Sequence, residues 1–229
     1  MKIIIINGSP RTNGATGQIL LKIKENLEEI DSDVEIDYVD LAKMNLKFCK
    51  GCASCYNTGN CYINDDGLEE LSQQLNDCDG VIFGSPNYAT NVSGEFKVLI
   101  DRGHFVFEQL LRNKACFSVV TYENYGGKIA KKVINELIRF SGGAVSCEYV
   151  LKLNHNDTVL NDKRNAQIKK LCLKFHARAK QKNPLSFFEK IFSMLVFHMG
   201  IKRHVLKNKS RYKGVLNRWT KYGLVKEGV

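Results

Sequence analysis

A chain of 229 residues with 44% hydrophobic and 25% charged residues is a globular protein of one domain, which excludes disordered and collagen-like chains. Its formal net charge of +10 is unevenly divided: residues 1–150 contain 15 Lys and Arg against 20 Asp and Glu, and residues 151–229 contain 19 against 4. Because the main body is acidic, the composition argues against a nucleic-acid partner.

The first predicted element is a strand at residues 3–6, an unbroken β-branched run typical of a strand buried on both faces of a parallel sheet. Apolar residues at helical spacing predict a helix over 15–29, and the alternation over 34–39 predicts a half-covered strand. After a cysteine-rich loop, Asp65 and Asp66 offer an N-cap for a second helix.

The second half of the chain continues the alternation of strands and helices. Its predicted elements are a strand at 81–83, a long helix at 93–111, a strand at 116–121, a helix at 128–140, a strand at 144–153 and a helix at 162–180. Five strands separated by helices of this length predict an α/β fold with a doubly wound, five-stranded parallel sheet. We place this domain at residues 1–183 and a basic extension at 184–229.

The cysteines and the N-terminus indicate the compartment. No apolar run approaches the roughly 18 residues of a membrane span, and the run at 3–6 is too short for the core of a signal peptide. We therefore expect a cytoplasmic protein, in which eight cysteines indicate metal or redox chemistry rather than disulfides.

The loop after the first strand, residues 7–16, is rich in glycine and hydroxyl side chains and leads directly into a helix. Backbone N–H groups at a helix N-terminus form an anion site, to which Ser9 and Thr16 add hydroxyls and Arg11 adds charge. The glycines fit neither a dinucleotide fingerprint nor a nucleoside triphosphatase loop, so one phosphate group is the better hypothesis. The alternative is an ordinary strand-to-helix turn.

Two further loops end at the same edge of the predicted sheet. The third strand ends in residues 84–88, where Tyr88 can lie against a flat ring and Asn87 can bind its edge. The fourth strand ends in residues 121–127. Three loops at one edge suit a flat heterocycle that carries a phosphate.

Residues 8–16, 84–88 and 97–102, in this order, resemble the flavodoxin-like NAD(P)H-dependent FMN reductases over about the first 150 residues. The resemblance implies a flavodoxin-like fold, bound FMN, NAD(P)H as co-substrate and assembly into a homodimer or a higher homo-oligomer. It implies that the loop over 121–127 closes over the pyrimidine end of the ring. The implied FMN-binding residues are Ser9, Arg11, Asn13, Gly14, Thr16, Pro86, Asn87, Tyr88, Thr121 and Gly126.

Four of the eight cysteines lie within thirteen residues, with the spacing Cys49-x2-Cys52-x2-Cys55-x5-Cys61. Four thiolates in one compact loop suit a [4Fe–4S] cluster. Zinc is a poorer fit because structural zinc sites usually use two separated knuckles, and a metal-free loop is the other alternative. The motif resembles that of the iron–sulfur flavoproteins, a branch within this fold family.

No residue stands out as an acid or base catalyst, since the five histidines are scattered and no hydrolase motif occurs. We predict no catalytic side chain. Asp101 and Arg102 resemble a family position, for which we predict a structural ion pair or a subunit contact. The four cysteines outside the loop are predicted to pack in the core.

The extension contains a nearly continuous apolar run at 186–199, followed by a series of lysines and arginines. The first interpretation is a helix buried across the domain or in a subunit interface. The alternative is an interfacial helix whose basic flank meets anionic lipid, giving peripheral membrane contact.

Together these patterns predict an FMN-dependent NAD(P)H oxidoreductase, with an iron–sulfur cluster, that passes electrons to a quinone, flavin or protein acceptor. In such an enzyme the cofactor carries the chemistry and the protein supplies position and electrostatics. The alternative is an electron-carrier flavoprotein that does not itself turn over nicotinamide.

Overall fold

The structure, a computed structural model, describes residues 1–226. Its centre is one five-stranded, all-parallel sheet with the strand order β2-β1-β3-β4-β5. The strands are β1 (Lys2–Asn7), β2 (Glu35–Asp40), β3 (Gly80–Pro86), β4 (Ala115–Tyr122) and β5 (Ala144–Lys152). The predicted doubly wound, flavodoxin-like sheet is confirmed.

The helices cover both faces of the sheet and continue into the C-terminal extension. They are α1 (Ala15–Ile30), α2 (Leu41–Met44), α3 (Ser54–Thr58), α4 (Leu68–Asp77), α5 (Gly94–Arg102), α6 (Phe105–Glu108), α7 (Gly127–Phe140), α8 (Asp162–Ala179), α9 (Phe187–Leu195), α10 (Lys202–Lys207) and α11 (Lys213–Lys221), with a π-helical segment at Val196–Ile201 between α9 and α10. No helix within residues 1–226 is long and apolar enough to cross a membrane.

The strand β1 shows why the sheet needs helices on both sides. Ile3 and Ile5 point into a core formed with α1 and α8, whereas Ile4 and Ile6 point into a second core formed with α4, α5 and α7. All four isoleucines are fully buried. A strand without polar alternation is therefore stable only at the centre of such a sheet.

The prediction of a single helix at 93–111 is wrong, because this segment forms two helices, α5 and α6. A Cβ atom at Gly103 would lie 2.2 Å from the Phe105 ring, so the tight turn at this point requires glycine. The next residue, His104, adopts a left-handed conformation with φ of 53°. This break positions His104 and the end of α5 for the site described below.

The N-cap predicted at Asp65 and Asp66 is also wrong. The helix α4 is capped by Gly67, whose φ is 73°, and no side chain bonds to the cap. Asp66 is instead buried in an ion pair with Arg102.

The extension folds back over the domain and forms a third apolar cluster of its own. Phe197, Val205, Val215 and Trp219 are its fully or almost fully buried members. By contrast, α9 has no buried residue, so the predicted burial across the domain is wrong for this helix.

The helix α11 crosses the cysteine-rich loop at a glycine. A Cβ atom at Gly214 would lie 2.0 Å from the backbone nitrogen of Gly59 and 2.6 Å from its Cα atom. The two backbones can approach this closely only because Gly214 has no side chain.

We expect Gly214→Ala to lower the free energy of unfolding by about 1–3 kcal/mol, because the added methyl group must push α11 off the loop. Urea denaturation of the purified variant measures this change. Gly200→Ala is the matched control, since a Cβ atom there meets nothing within 4 Å and alanine favours the helix. Equal stability of the two variants would contradict the close approach.

Candidate functional site: a cleft at the sheet edge and a cysteine cavity

A cleft of about 600 Å³ opens at the carboxyl edge of the sheet, where open α/β folds bind their ligands. Four loops line it, one after each of β1, β3, β4 and β5. The lining residues are Arg11, Gly14, Ala15, Pro86 to Thr90, Thr121 to Tyr125, Leu153 to His155, Asp157 and Val159.

The loop after β1 presents the N-terminus of α1 to this cleft. Gly14 is the N-cap residue and no side chain bonds to the cap. The Ser9 hydroxyl shapes the loop, since it accepts a hydrogen bond from the Arg11 backbone N–H (3.2 Å) and lies 3.0 Å from the Arg11 carbonyl oxygen. The result is an uncapped helix terminus next to an exposed guanidinium, which fits an anion.

Six of the ten residues predicted to bind the cofactor line the cleft directly: Arg11, Gly14, Pro86, Asn87, Tyr88 and Thr121. Ser9 and Thr16 are buried behind its floor, and the Thr16 hydroxyl lies 2.8 Å from that of Thr121. Asn13 is exposed and its carbonyl accepts a hydrogen bond from the Gln18 side chain. Gly126 lies behind the loop after β3.

Tyr88 is held by a tight turn with unusual backbone geometry. Tyr88 and Asn91 exchange two backbone hydrogen bonds of 2.9 Å. The two residues between them, Ala89 and Thr90, have φ values of 48° and 64°, in the left-handed region that disfavours side chains. The Tyr88 ring is 41% exposed and faces the cleft with its position fixed by this turn.

The loop after β4 contacts the loop after β3. The Asn87 side chain donates a hydrogen bond of 2.8 Å to the Tyr125 carbonyl. A Cβ atom at Gly126 would lie 2.9 Å from the Cα atom of Thr90, so glycine is required for this contact. The two loops therefore form one continuous wall of the cleft.

The loop after β5 is a part of the cleft that the sequence analysis missed. It contributes Asn154, His155 and Asp157. No motif marks these residues, but the strand order did contain a signal: β5 pairs in parallel with β4, so its carboxyl end must reach the same edge.

The residues of the cleft fit a flat ring that carries a phosphate. The N-terminus of α1 and Arg11 supply the anion site, and Tyr88 supplies an aromatic wall for the ring. The Asn87 Oδ1 atom has no hydrogen-bond partner among residues 1–226, which leaves an acceptor beside this wall.

A second site is formed by the cysteine-rich loop. Cys49, Cys52, Cys55 and Cys61 all have free thiols and line one small cavity together with Arg102 and His104. Within residues 1–226, no three His, Cys, Asp or Glu side chains have the geometry that holds a single metal ion. A four-iron cluster takes one thiolate per iron, so its ligands stand further apart than those of one ion, and the donors present fit it in kind and number.

Arg102, at the end of α5, ties the two ends of this loop together. Its guanidinium donates 2.9 Å hydrogen bonds to the Lys47 and Ile63 carbonyls, forms a bidentate pair with Asp66, and lies 3.5 Å from the Cys61 sulfur. Both charged side chains are almost completely buried. The predicted structural ion pair of Arg102 is confirmed, and Asp101 pairs separately with Lys97 on the surface.

The neighbours of the thiols are also charged. Burial lowers the pKa of His104, but hydrogen bonds with Cys55 and Glu108 outweigh this effect and raise it to about 10. The His104 Nδ1 atom lies 3.1 Å from a Glu108 oxygen. A positively charged imidazole therefore lies beside Cys55 at the wall of the cavity.

The C-terminal extension covers the outside of the cysteine-rich loop. Arg218 bonds to Glu108 at 2.6 Å, to Glu69 at 2.7 Å, and to the Gly59 carbonyl. The Tyr212 ring packs against those of Tyr56 and Phe107, with centroid distances of 5.2 and 5.4 Å. The extension therefore contributes to the cysteine site rather than forming a separate unit.

The comparisons with known proteins identify the family of the chain. The sequence model of the NADPH-dependent FMN reductases matches residues 1–155, and the chain belongs to this family. The predicted family resemblance is confirmed, and the family supports an FMN flavoprotein oxidoreductase.

Two relatives are named iron–sulfur flavoproteins. The chain is 37% identical over 226 residues to an iron–sulfur flavoprotein of Clostridioides difficile (strain 630), a match that covers 98% of this chain and 100% of that protein. It is 40% identical over 103 residues to an iron–sulfur flavoprotein of Methanocaldococcus jannaschii, covering 44% of this chain and 51% of the other.

Solved structures show the same fold at low sequence identity. A flavodoxin from the domain Archaea superposes with a TM-score of 0.53 and 16% identity, covering 79% of this chain and 100% of that one. A flavone reductase superposes with a TM-score of 0.63 and 16% identity, covering 79% and 64%.

We expect Arg102→Leu to destabilise the protein by about 3–5 kcal/mol, because it leaves the Asp66 carboxylate buried without its partner. Urea denaturation measures the loss. Asp101→Asn is the matched control: it breaks an exposed pair one residue away and should cost about 0.5 kcal/mol or less. A similar effect of both substitutions would contradict the assigned role of Arg102.

The same pair predicts a dependence on pH. Burial raises the pKa of Asp66, but hydrogen bonds from Arg102 and the Lys47 backbone outweigh it and hold the pKa below its usual range. The stabilisation is therefore complete above the unfolded aspartate pKa of about 3.9 and disappears as the pH falls through the lower folded value. The Asp66→Asn variant should lack this contribution to the loss of folding stability at acid pH.

Proposed function

We propose that this protein is an FMN-dependent oxidoreductase that takes electrons from NADH or NADPH and delivers them to a quinone, flavin or protein acceptor, with an iron–sulfur cluster in the cysteine cavity. The observation that carries the proposal is the cleft, which combines an uncapped helix N-terminus, Arg11 and Tyr88 in a chain of the FMN reductase family. The names of the relatives support the cluster.

FMN bound in this cleft would supply hydride chemistry with a nicotinamide and single-electron chemistry with other acceptors. The residues of the chain bind and orient it. Arg11 and the first turn of α1 bind the phosphate, while Pro86, Asn87 and Tyr88 hold the ring. Ser9 and Thr16 act from behind by fixing the loop after β1 and the position of Thr121.

The cysteine cavity would hold a [4Fe–4S] cluster through Cys49, Cys52, Cys55 and Cys61, and such a cluster supplies single-electron transfer. Arg102 and Arg218 hold the surrounding loop, and His104 places a positive charge beside Cys55. The cavity lies at the far end of α5 from the cleft, and a helix of nine residues is about 13 Å long. The two sites are therefore separate within one chain.

We expect Arg11→Ala to weaken FMN binding by about 10- to 100-fold, because a charged hydrogen bond to the phosphate contributes about 1.5–3 kcal/mol. Titration of the FMN-free protein, followed by quenching of flavin fluorescence, measures the dissociation constant. Arg203→Ala is the control, since Arg203 is also exposed and lies on the extension. Unchanged affinity for Arg11→Ala would show that the phosphate binds elsewhere.

We expect Cys52→Ala to remove iron and acid-labile sulfide from protein purified without oxygen, while one FMN per chain remains. Cys52 is exposed, so its replacement does not disturb the core. Cys147→Ala removes a buried thiol outside the loop and should leave the iron content unchanged. Equal iron in both variants would mean that the loop does not hold the cluster.

Steady oxidation of NADH or NADPH by the loaded wild-type protein with an artificial acceptor tests the reaction itself. Turnover supports the oxidoreductase. Absence of turnover, with reduction of the flavin by a partner protein, would instead support an electron carrier.

A further inference from the structure

The outer face of α9 and the π-helical segment carries six large apolar side chains in solvent. Phe187, Phe188 and Met199 are 71%, 80% and 68% exposed. Two adjacent pairs, 187/188 and 194/195, and the single residues 191 and 199 are joined by helical spacings of three and four, so they form a continuous stripe along the helix. This apolar stripe consists of Phe187, Phe188, Ile191, Met194, Leu195 and Met199.

The inner face of the same helix is firmly attached, so the stripe has a fixed orientation. Glu189 closes a capping box with Ser186 and accepts a hydrogen bond of 3.1 Å from the Val145 backbone N–H at the start of β5. The Phe192 ring packs on that of Phe140, with their centroids 5.8 Å apart. The stripe is thus a built surface of the protein rather than the side of a loose tail.

The surroundings of the stripe are basic. Residues 184–229 contain ten Lys and Arg and two Asp and Glu. Lys190 lies between stripe residues in the sequence of α9. Arg203, Lys207 and Lys209 follow the stripe along the chain. Within residues 1–226, no carboxylate lies within 4 Å of any of these four cations.

We propose that the apolar stripe docks on an anionic phospholipid surface, with α9 parallel to the membrane plane. The aromatic and methionine side chains enter the boundary between headgroups and acyl chains, and the cations bind the lipid phosphates. A second copy of the chain is a poorer occupant, since pairing two stripes would bring together two extensions that each carry a net charge of +8.

The uneven charge of the chain and the place of α9 both bear on how it docks. Residues 184–229 carry a net charge of +8 and residues 1–183 only +2, so an anionic surface attracts the extension more strongly than the domain. The start of β5, which Glu189 contacts, lies at the opposite edge of the sheet from the cleft. Docking through the stripe therefore leaves the cleft open to its ligands.

Flotation of the full-length protein with vesicles tests the proposal. We expect binding to phosphatidylcholine vesicles that contain about 30 mol% phosphatidylglycerol, and at least about tenfold weaker binding to pure phosphatidylcholine. Binding should fall with added salt, because the contact between cations and headgroups is screened. Phe187→Ser combined with Phe188→Ser should weaken binding about tenfold or more, and these exposed positions leave the fold intact.

Control variants test whether vesicle binding requires the stripe and its neighbouring cations, rather than any exposed apolar residue or any positive charge. Leu173→Ser changes an exposed apolar residue on α8 and should bind like the wild type. Reversal of Lys190 and Lys207 to Glu should abolish binding, whereas the same change at the exposed Lys163 and Lys170 of α8 should have a much smaller effect.

Two results would overturn the proposal: equal binding to both kinds of vesicle, or no binding at all. Light scattering then tests the other occupant, a second copy of the chain. If the stripe is a subunit contact, Phe187→Ser combined with Phe188→Ser lowers the oligomeric state. Circular dichroism of every variant confirms that it is folded.

Discussion

The architecture of the cysteine site depends on one buried ion pair. Arg102 reaches it from the end of α5, and Asp66 lies just before α4. Between them they fix both ends of the cysteine-rich loop, which has little regular structure. Before Ile63, the apolar side chains of this loop are either exposed or only partly buried. A loop of this composition could not fold by hydrophobic burial alone, so buried charge provides the specificity that burial lacks.

The C-terminal extension also stabilises the cysteine site. Glu108 is shared between His104, next to Cys55, and Arg218, on α11. Because a buried carboxylate needs compensating charge, the C-terminal helix and the thiol cavity are coupled through one side chain. Residues separated by more than 100 positions in the sequence thus support a common local structure.

Much of this fold was predictable, and the failures have physical causes. Unbroken β-branched runs such as Ile3 to Ile6 fix the central strands, and the loops at their carboxyl ends fix the location of the cleft. The break after α5 depends on how Gly103 packs against Phe105, and the role of Asp66 depends on a partner 36 residues away. The loop after β5 lacks any motif, so only the strand order brings Asn154 and His155 to the cleft.

The turn between Tyr88 and Asn91 reveals a trade between stability and geometry. Two successive side chains in the left-handed region, one of them β-branched, cost on the order of 1–3 kcal/mol each. Glycine at either position would relieve this strain and also free the turn to move. The strained turn makes the loop less stable, but it holds the Tyr88 ring as a rigid aromatic wall of the cleft. The distance between this ring and the anion site is therefore set before any ligand binds.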